Sequence, residues 1–171
     1  IIVSNIHSSL HDGTHIDAPM HFIRQGSAID QLSFDIFIGF AQVIVVDLSK
    51  RSSKTILISD LPEITENKIL FATNSFDCYT KEFKPDFAYL SNEVTQHLID
   101  KNMILVGIDT PSLDYYNSSL YPIHKQLLKN NIPIIENLYL RNISVGTYHL
   151  TALPLKLTNL EASPVAILTK V

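Results

Sequence analysis

Residues 91–108 read SNEVTQHLIDKNMILVGI, and the fold prediction starts from the pattern in this stretch. Ser91 can cap a helix that runs to about Asn102, because its hydroxyl can accept a hydrogen bond from the first turn. Residues 103–108 then form an unbroken apolar run, which is typical of a strand buried on both faces of a sheet. A helix followed directly by a buried strand predicts an α/β unit.

The same alternation of strands and helices continues on either side of this stretch. Short helices are predicted at residues 59–63 and 123–129, and a loop is predicted at residues 11–22. Continuous apolar runs predict four further strands, at residues 1–6, 42–48, 68–73 and 132–138.

Two apolar runs near the end of the chain, residues 148–157 and 165–171, suit a β-hairpin with a long loop between its strands. No internal repeat or low-complexity segment interrupts the chain, so residues 1–171 are expected to form a single domain. The predicted fold class is therefore α/β, with a mixed β-sheet core, flanking helices and a C-terminal β-hairpin.

The composition excludes several classes of protein. With 46% hydrophobic residues and a formal net charge of −4, the 171-residue chain is neither disordered nor suited to bind nucleic acid through bulk charge. Its longest apolar run is too short to cross a bilayer. Cys78 is the sole cysteine, which excludes a disulfide framework and a cysteine-based zinc site. No targeting segment is recognisable, so we expect a cytoplasmic protein.

Three of the seven histidines, His11, His15 and His21, lie within eleven residues, with Asp17 among them. Neutral imidazole and carboxylate are natural ligands for a divalent metal such as Zn²⁺ or Mn²⁺. An extended strand would separate His11 from His15 by about 13 Å, and a helix would turn Asp17 about 200° away from His15. A bent loop can gather all three, and Gly13 supplies the positive φ that such a bend needs. The alternative is a polar surface loop that happens to be rich in histidine.

Residues 11–22, HDGTHIDAPMHF, resemble the H-x-G-T-H-x-D-x-P-x-H-F signature of the cyclase/kynurenine formamidase family, with every fixed position met. The resemblance implies that His11, His15 and Asp17 bind metal, with Asp17 able to bridge two ions. It also implies that His21 is the general acid/base that carries the proton. A fold of the swivelling β/β/α type is implied as well.

A second part of the chain resembles another metal-binding stretch of the same family, and it comprises residues 109–114, 124–128 and 134–138. The resemblance extends metal ligation to His124 and Glu136. A helix from His124 and the strand after it can bring both residues to the same edge. Glu136 lies in an apolar run, where an unpaired carboxylate would be costly and a metal would neutralise it. The alternative is an edge-strand glutamate that points to water. Ser112 and Asp114 are interpreted as turn formers.

Two further features each have two interpretations. Residues 153–157 and 161–165 resemble the closing segment of the family, and they form either a loop that lines the pocket or simply the predicted hairpin. Three tyrosines between the matched segments either contact an aromatic substrate or pack inside the protein: Tyr115, Tyr116 and Tyr121.

The resemblance implies a metal-dependent hydrolase of a small aryl amide, with N-formyl-kynurenine, cleaved to kynurenine and formate, as the leading candidate. One or two Zn²⁺ ions are the expected cofactor, with Mn²⁺ as the alternative. The other candidates are an isatin-hydrolase-like or other cyclic-amide hydrolase or cyclase, and a catalytically silent metal-binding member. The expected partners are a small-molecule substrate and further copies of the chain in a dimer or tetramer, without nucleic acid or membrane. Family members carry additional residues before the signature, so we expect the domain to be N-terminally incomplete.

Overall fold

The structure is a computed structural model that describes residues 1–48, 50–77 and 83–170. Cys78 and the last residue of the predicted hairpin, Val171, lie outside the described residues. The exclusion of a cysteine-based site therefore remains a conclusion from composition.

The described residues form ten strands: β1 His15–Asp17, β2 Ile38–Val45, β3 Thr55–Ile56, β4 Lys68–Ala72, β5 Tyr89–Leu90, β6 Leu105–Ile108, β7 Ile134–Glu136, β8 Gly146–Thr151, β9 Ala162–Pro164 and β10 Leu168–Lys170. Eight of them form the mixed sheet at the core, in the order β10-β8-β2-β4-β6-β7-β1-β9. Its middle strands β2, β4, β6 and β7 are parallel, and antiparallel strands flank them on both sides. Two further strands, β3 and β5, form a small parallel sheet of their own. The α/β class with a mixed sheet is confirmed.

The α-helices of the described residues are α1 Phe34–Phe37, α2 Asn92–Asp100 and α3 Pro122–Lys129. Ser91 caps α2, because its side chain accepts a hydrogen bond from the Val94 N–H at 3.2 Å. The helix and the buried strand predicted within residues 91–108 are both present, and each is slightly shorter than predicted. Within the part of the chain that the structure describes, no helix has the length and apolar character needed to cross a membrane.

Alternate residues of the central strands are buried against opposite sides of the sheet. In β4, Ile69 and Phe71 join a cluster that includes apolar residues of α2 and α3. Leu70 and Ala72, which point the other way, join a second cluster that includes Ile16 of β1. Burial on both faces explains why the predicted strands are unbroken apolar runs rather than alternating ones.

The sheet curves until its two margins meet. An isolated bridge joins Pro154, which follows β8, to Val165, which follows β9. Ile16 of β1 and Leu150 of β8 also belong to the same buried cluster, although their strands lie toward opposite ends of the sheet order. The curved sheet therefore encloses this cluster and places β1 beside the C-terminal segment.

The C-terminal hairpin is present but has an unexpected insertion. Strands β8 and β10 pair antiparallel, as the prediction requires. The segment between them is not a plain loop, because β9 leaves the hairpin and pairs with β1 at the other margin. This pairing satisfies backbone groups on the outer edge of β1 that would otherwise lack partners.

The strand predicted at residues 1–6 and the helix predicted at residues 59–63 are both wrong. Residues 1–6 form no strand, and their apolar side chains are exposed because no described strand pairs with them. Residues 59–63 do not form the predicted helix, and a short 3₁₀ helix covers Ile58–Asp60 instead. That helix ends at Leu61, whose backbone is extended because the next residue is Pro62.

The prediction of a loop over residues 11–22 is also only partly right. The segment begins as a turn, but it continues into β1, His15–Asp17, and then into a 3₁₀ helix over Pro19–His21. The sequence does not predict β1, because three residues are too few to show a period. Pairing with β7 and β9 makes these residues extended.

Candidate metal centre

The first group of metal donors comes from β1 and the turn before it. His15 and Asp17 are two residues apart on the strand, so their side chains point to the same side of the sheet. Gly13 has a φ of 65° and turns the chain so that His11 comes back over them. His11 Nδ1 lies 3.0 Å from Asp17 Oδ1, and His15 Nε2 lies 3.4 Å from the same oxygen. The structure therefore brings together the three residues of the signature for which metal binding is predicted.

The second group of donors comes from β7 and α3. Glu136 stands opposite His15 in the β1–β7 register, and His124 lies in the first turn of α3. His124 Nε2 is 3.1 Å from Glu136 Oε1 and 3.7 Å from Asp17 Oδ2. Glu136 is only 4% exposed, so it does not point to water from an edge strand.

Asp17 belongs to both groups. One donor atom from each residue of the first group lies within 4.8 Å of the others, and the same limit holds within the second group. The contacts of the first group are to Asp17 Oδ1, whereas His124 approaches Oδ2. This arrangement suits one ion, or two ions that share the carboxylate. The first group is His11, His15 and Asp17, and the second is Asp17, His124 and Glu136.

Buried atoms without partners indicate that a cation fits here. Among the described residues, the fully buried side-chain nitrogen and oxygen atoms that lack a hydrogen bond are His15 Nε2 and both carboxylate oxygens of Asp17. Such atoms are costly to bury unless another group satisfies them. Imidazole nitrogen and carboxylate oxygen are the donors that Zn²⁺ and Mn²⁺ accept. The residues present therefore fit a divalent metal.

Two of the histidines are held by hydrogen bonds on the nitrogen that faces away from the centre. His15 Nδ1 lies 2.9 Å from Gly13 O, and His124 Nδ1 lies 2.7 Å from Asp114 Oδ2. Because both partners are acceptors, Nδ1 of each ring carries a proton, and this is the single proton that remains when the ring is neutral, as metal binding requires. This tautomer leaves the Nε2 lone pair of both rings directed at the carboxylates of the centre.

Asp114 is more than the turn former that its local sequence suggests. It is 1% exposed and accepts hydrogen bonds from the backbone N–H groups of Ile123 and His124, at 3.0 and 3.1 Å. It thereby caps α3, whose N-cap residue Tyr121 makes no side-chain cap. The sequence carries no local signal for this role, since Asp114 and Ile123 are nine residues apart. Ser112 does act as a turn residue, because its hydroxyl accepts the Asp114 N–H.

The charges of the centre depend strongly on one another. Burial opposes a charged His124, but Glu136 and the other nearby carboxylates outweigh burial and raise its pKa to about 10. Burial likewise opposes the charged form of His15, and contact with Asp17 nevertheless raises its pKa above the usual value. Burial would raise the pKa of Asp17, but the close contacts of its carboxylate with the rings of His11 and His15 hold it well below its usual range. In the metal-free protein the carboxylates therefore favour the protonated form of His15 and His124, and a bound cation would displace these protons.

His21 lies beside the centre but belongs to neither donor group. It ends the 3₁₀ helix Pro19–His21, and its Nε2 is 3.8 Å from Asp17 Oδ2. Its ring packs against those of His11 and Phe22, with centroid distances of 4.3 and 4.5 Å. Burial, the largest effect, lowers the pKa of His21, so the ring is neutral at physiological pH and able to accept a proton.

A cavity of about 340 Å³ opens over the centre. The tyrosines of residues 115, 116 and 121 all line it and are between 41% and 50% exposed, so they face the cavity rather than packing inside the protein. Two phenylalanines join them from a separate segment, and nothing in the sequence pattern indicates that they belong to the site. We call these rings the aromatic wall: Phe22, Phe83, Phe87, Tyr115, Tyr116 and Tyr121.

Known proteins resemble this chain both in sequence and in structure. A family model described as putative cyclase matches residues 3–115. The kynurenine formamidase of Salinibacter ruber is 36% identical over 163 residues, which cover 95% of this chain and 77% of the relative. A solved structure of a potential metal-dependent hydrolase with cyclase activity has a TM-score of 0.84 and 29% identity, over 96% of this chain and 81% of that chain.

A more distant solved structure shares the fold. Isatin hydrolase A from Labrenzia aggregata has a TM-score of 0.78 and 24% identity, over 97% of this chain and 76% of that chain. At this identity the likeness describes the fold alone.

Proposed function

The chain belongs to the putative cyclase family and is an amidohydrolase acting on C–N bonds other than peptide bonds, and from that premise we propose that it hydrolyses a small aryl amide. The leading substrate is N-formyl-kynurenine, cleaved to kynurenine and formate, in keeping with the activity for which the Salinibacter ruber relative is named. The observation that carries the proposal is Asp17, shared by two donor groups on the floor of a cavity with an aromatic wall.

Metal binding is assigned to the five residues of the two donor groups, with one or two Zn²⁺ ions as the cofactor and Mn²⁺ as the alternative. When bound, such an ion lowers the pKa of a water molecule toward neutrality and polarises the substrate carbonyl. The protein orients the donors, because Gly13 O and Asp114 hold His15 and His124 with Nε2 inward. The donor groups are His11, His15 and Asp17, and Asp17, His124 and Glu136.

Proton transfer is assigned to His21. Its neutral imidazole, 28% exposed at the side chain, reaches the cavity beside Asp17 without belonging to either donor group. His21 accepts a proton from the attacking water and returns it to the amine nitrogen as the amide C–N bond breaks. The exchange leaves the histidine unchanged after each turnover, and no nucleophilic side chain is required.

The aromatic wall supports an aryl substrate. Its rings offer faces and edges to a substrate ring, and aromatic pairs gain about 0.5–1.5 kcal/mol beyond simple burial. The cavity volume of about 340 Å³ lies in the range of small-molecule sites. An aryl formamide that rests on the wall can direct its small acyl group to the floor, where the donor groups and His21 lie.

The assembly and location of the protein are also part of the proposal. We infer a single domain that works in the cytoplasm as a homodimer or homotetramer, on a small molecule and without nucleic acid or membrane. Large apolar side chains remain exposed on the surface of the described chain and support association of copies. They include Ile38 and Phe40 of β2, and Val145 before β8.

The test is hydrolysis by the metal-loaded protein. Purified protein is stripped with a chelator, reloaded with Zn²⁺ or Mn²⁺, and incubated with N-formyl-kynurenine, and kynurenine is followed by its absorbance. Formanilide tests the need for an amino-acid group, and an alkyl formamide tests the need for an aryl group. We expect metal-dependent release of kynurenine, weaker turnover of formanilide and little turnover of the alkyl amide.

Other results would reject this substrate. Opening of the isatin ring without cleavage of aryl formamides would assign the chain to cyclic amides. A metal-loaded protein that turns over no aryl formamide or lactam would be a catalytically silent member. Comparing each result with the chelator-stripped protein separates metal-dependent turnover from contamination.

A further inference from the structure

His11 contacts a second carboxylate that lies outside both donor groups. Its Nδ1 faces Asp17 at 3.0 Å, whereas its Nε2 lies 3.5 Å from Glu161 Oε1. We propose that Glu161 is a positioning residue, which holds His11 in the tautomer and orientation that direct Nδ1 at the metal. The proposal rests on the metal assignment within the proposed function.

The other histidines of the centre show the same pattern. In both rings Nδ1, the nitrogen that faces away from the donor groups, lies against an oxygen acceptor. The acceptor is Gly13 O for His15 and the Asp114 carboxylate for His124. A neutral histidine binds metal through one nitrogen and carries its proton on the other, so an acceptor on the outer side selects the competent tautomer. Glu161 is the corresponding oxygen for His11, although its contact with the outer nitrogen Nε2 is longer, at 3.5 Å.

The sheet places Glu161 where it can play this part. Strand β9 begins at the next residue, and its Ala162 pairs with Asp17 in the β1–β9 register. The Ala18 N–H also donates to the Glu161 carbonyl at 2.8 Å. Its backbone is therefore anchored beside β1, and the closing segment meets the centre through this one side chain rather than by lining the cavity.

The geometry distinguishes this role from direct ligation. Asp17 and Glu161 contact different nitrogens of the His11 ring, so Glu161 lies on the side of the ring away from the donor groups. The glutamate is also 38% exposed at its side chain, whereas Asp114 is buried against His124 at 2.7 Å. A longer and more solvated contact holds the histidine ring less firmly. Removing a residue that holds a metal ligand weakens metal affinity by about 10- to 100-fold, and we expect removal of Glu161 to weaken it about tenfold.

Metal titration without substrate tests the proposal. Metal-free wild type, Glu161→Ala, Glu161→Gln and the control Glu63→Gln, an exposed glutamate outside the site, are titrated with Zn²⁺ against a chromophoric chelator. We expect Glu161→Ala to weaken the binding of one ion about tenfold at unchanged stoichiometry. Glu161→Gln should weaken binding less, because its amide oxygen can take the place of the carboxylate oxygen that faces His11 Nε2. The control should match wild type.

A second measurement uses Co²⁺ as a spectroscopic probe. Its absorbance bands report the number of ligands, so a positioning role predicts nearly unchanged intensity in Glu161→Ala at saturating Co²⁺. Fewer bound ions together with a changed spectrum would make Glu161 a ligand and overturn the proposal. Wild-type affinity in Glu161→Ala would overturn it as well, even if KM for a formamide rose. Because these titrations contain no substrate, they remain valid if the proposed hydrolysis is not observed.

Discussion

At the scale of single residues, Asp17 determines what the centre can do. Its side chain is 1% exposed, and neither oxygen has a hydrogen-bond donor of good geometry. A buried carboxylate in this position is stable only when positive charge surrounds it. In the metal-free protein, burial works against both charges, but contacts with His11 and His15 lower the pKa of Asp17. Glu136, Asp114 and Asp17 likewise raise the pKa of His124.

Replacing the shared residue should empty both donor groups. In Asp17→Asn, the neutral amide removes the charge and one of the two oxygens, so we expect metal content to fall to near zero ions per chain. In His15→Ala, the first group loses a donor while His124 and Glu136 remain, so a residual ion in the second group is expected at most. Elemental analysis of dialysed protein measures both. A fully loaded Asp17→Asn protein would contradict the shared-carboxylate arrangement.

Replacing His21 should separate proton transfer from metal binding. Because His21 belongs to neither donor group, His21→Ala should keep its metal content while kcat falls about 10²- to 10⁴-fold. Elemental analysis and steady-state kinetics on the same sample test both parts. Loss of metal from this variant would show instead that His21 is a ligand.

At the scale of elements, α3 connects the core to the chemistry. Its buried face includes Leu127 and Leu128, which join the cluster against the sheet, and its first turn carries His124. Asp114 holds this turn from outside the helix, because it binds two backbone N–H groups and the His124 ring together. The same carboxylate therefore stabilises the helix and orients a predicted ligand.

This double role gives a prediction with a matched control. Asp114→Ala should lower the free energy of unfolding by about 2 kcal/mol, because it leaves three buried donors without an acceptor. It should also weaken metal binding about 10- to 100-fold. Ser91→Ala removes the cap of α2, whose hydroxyl is bonded to the Val94 N–H and to no donor of the centre. It should lower the free energy of unfolding by about 1 kcal/mol without a change in metal affinity. Urea unfolding of the metal-free proteins and chelator competition measure the two quantities.

At the scale of the whole molecule, the curved sheet assembles the centre from distant parts of the chain. Strand β1 lies between β7 and β9, so residues near the start of the described chain meet Glu136 and Glu161. A ligand that bridges such elements stabilises the folded chain, because it binds that state and not the unfolded one.

Metal should therefore raise Tm in a pH-dependent way. A free ligand concentration of 1,000 times Kd adds about 4 kcal/mol to the free energy of unfolding. For a chain of this size that increase raises Tm by about 10 °C. Protons compete with the metal at His11, His15 and His124, whose pKa values are all raised in the metal-free protein. The Tm difference between Zn²⁺-loaded and chelator-stripped protein should therefore be larger at pH 8 than at pH 6.

The metal-free protein should respond to pH in the opposite sense. Because the folded-state pKa of His124 is about 10, its contribution to stability is complete below about pH 6.5 and is lost as pH rises through 10. Thermal unfolding in the presence of a chelator, from pH 6 to pH 10, measures this loss. A Tm difference between loaded and stripped protein that shrinks from pH 6 to pH 8 would contradict both expectations.

Much of the fold could be predicted because the signals are local. Helix α2 and strand β6 follow from a capping serine and an apolar run within residues 91–108, and burial on both faces explains that run. The strand predicted at residues 1–6 is wrong because an apolar run becomes a strand only where another strand pairs with it. Strand β9 was missed for the complementary reason, since pairing with β1 makes it extended.

The sequence by itself determined which metal donors are present, namely histidines and carboxylates at a characteristic spacing. It also determined most of the local elements that carry them. Only the tertiary structure decided that Asp17 belongs to two donor groups, that Asp114 holds His124, and that Glu161 reaches His11. The physical reason is the distance along the chain over which each kind of interaction acts. Side-chain chemistry and periodicity can be read within a few residues, whereas these contacts depend on which strands pair and in what register.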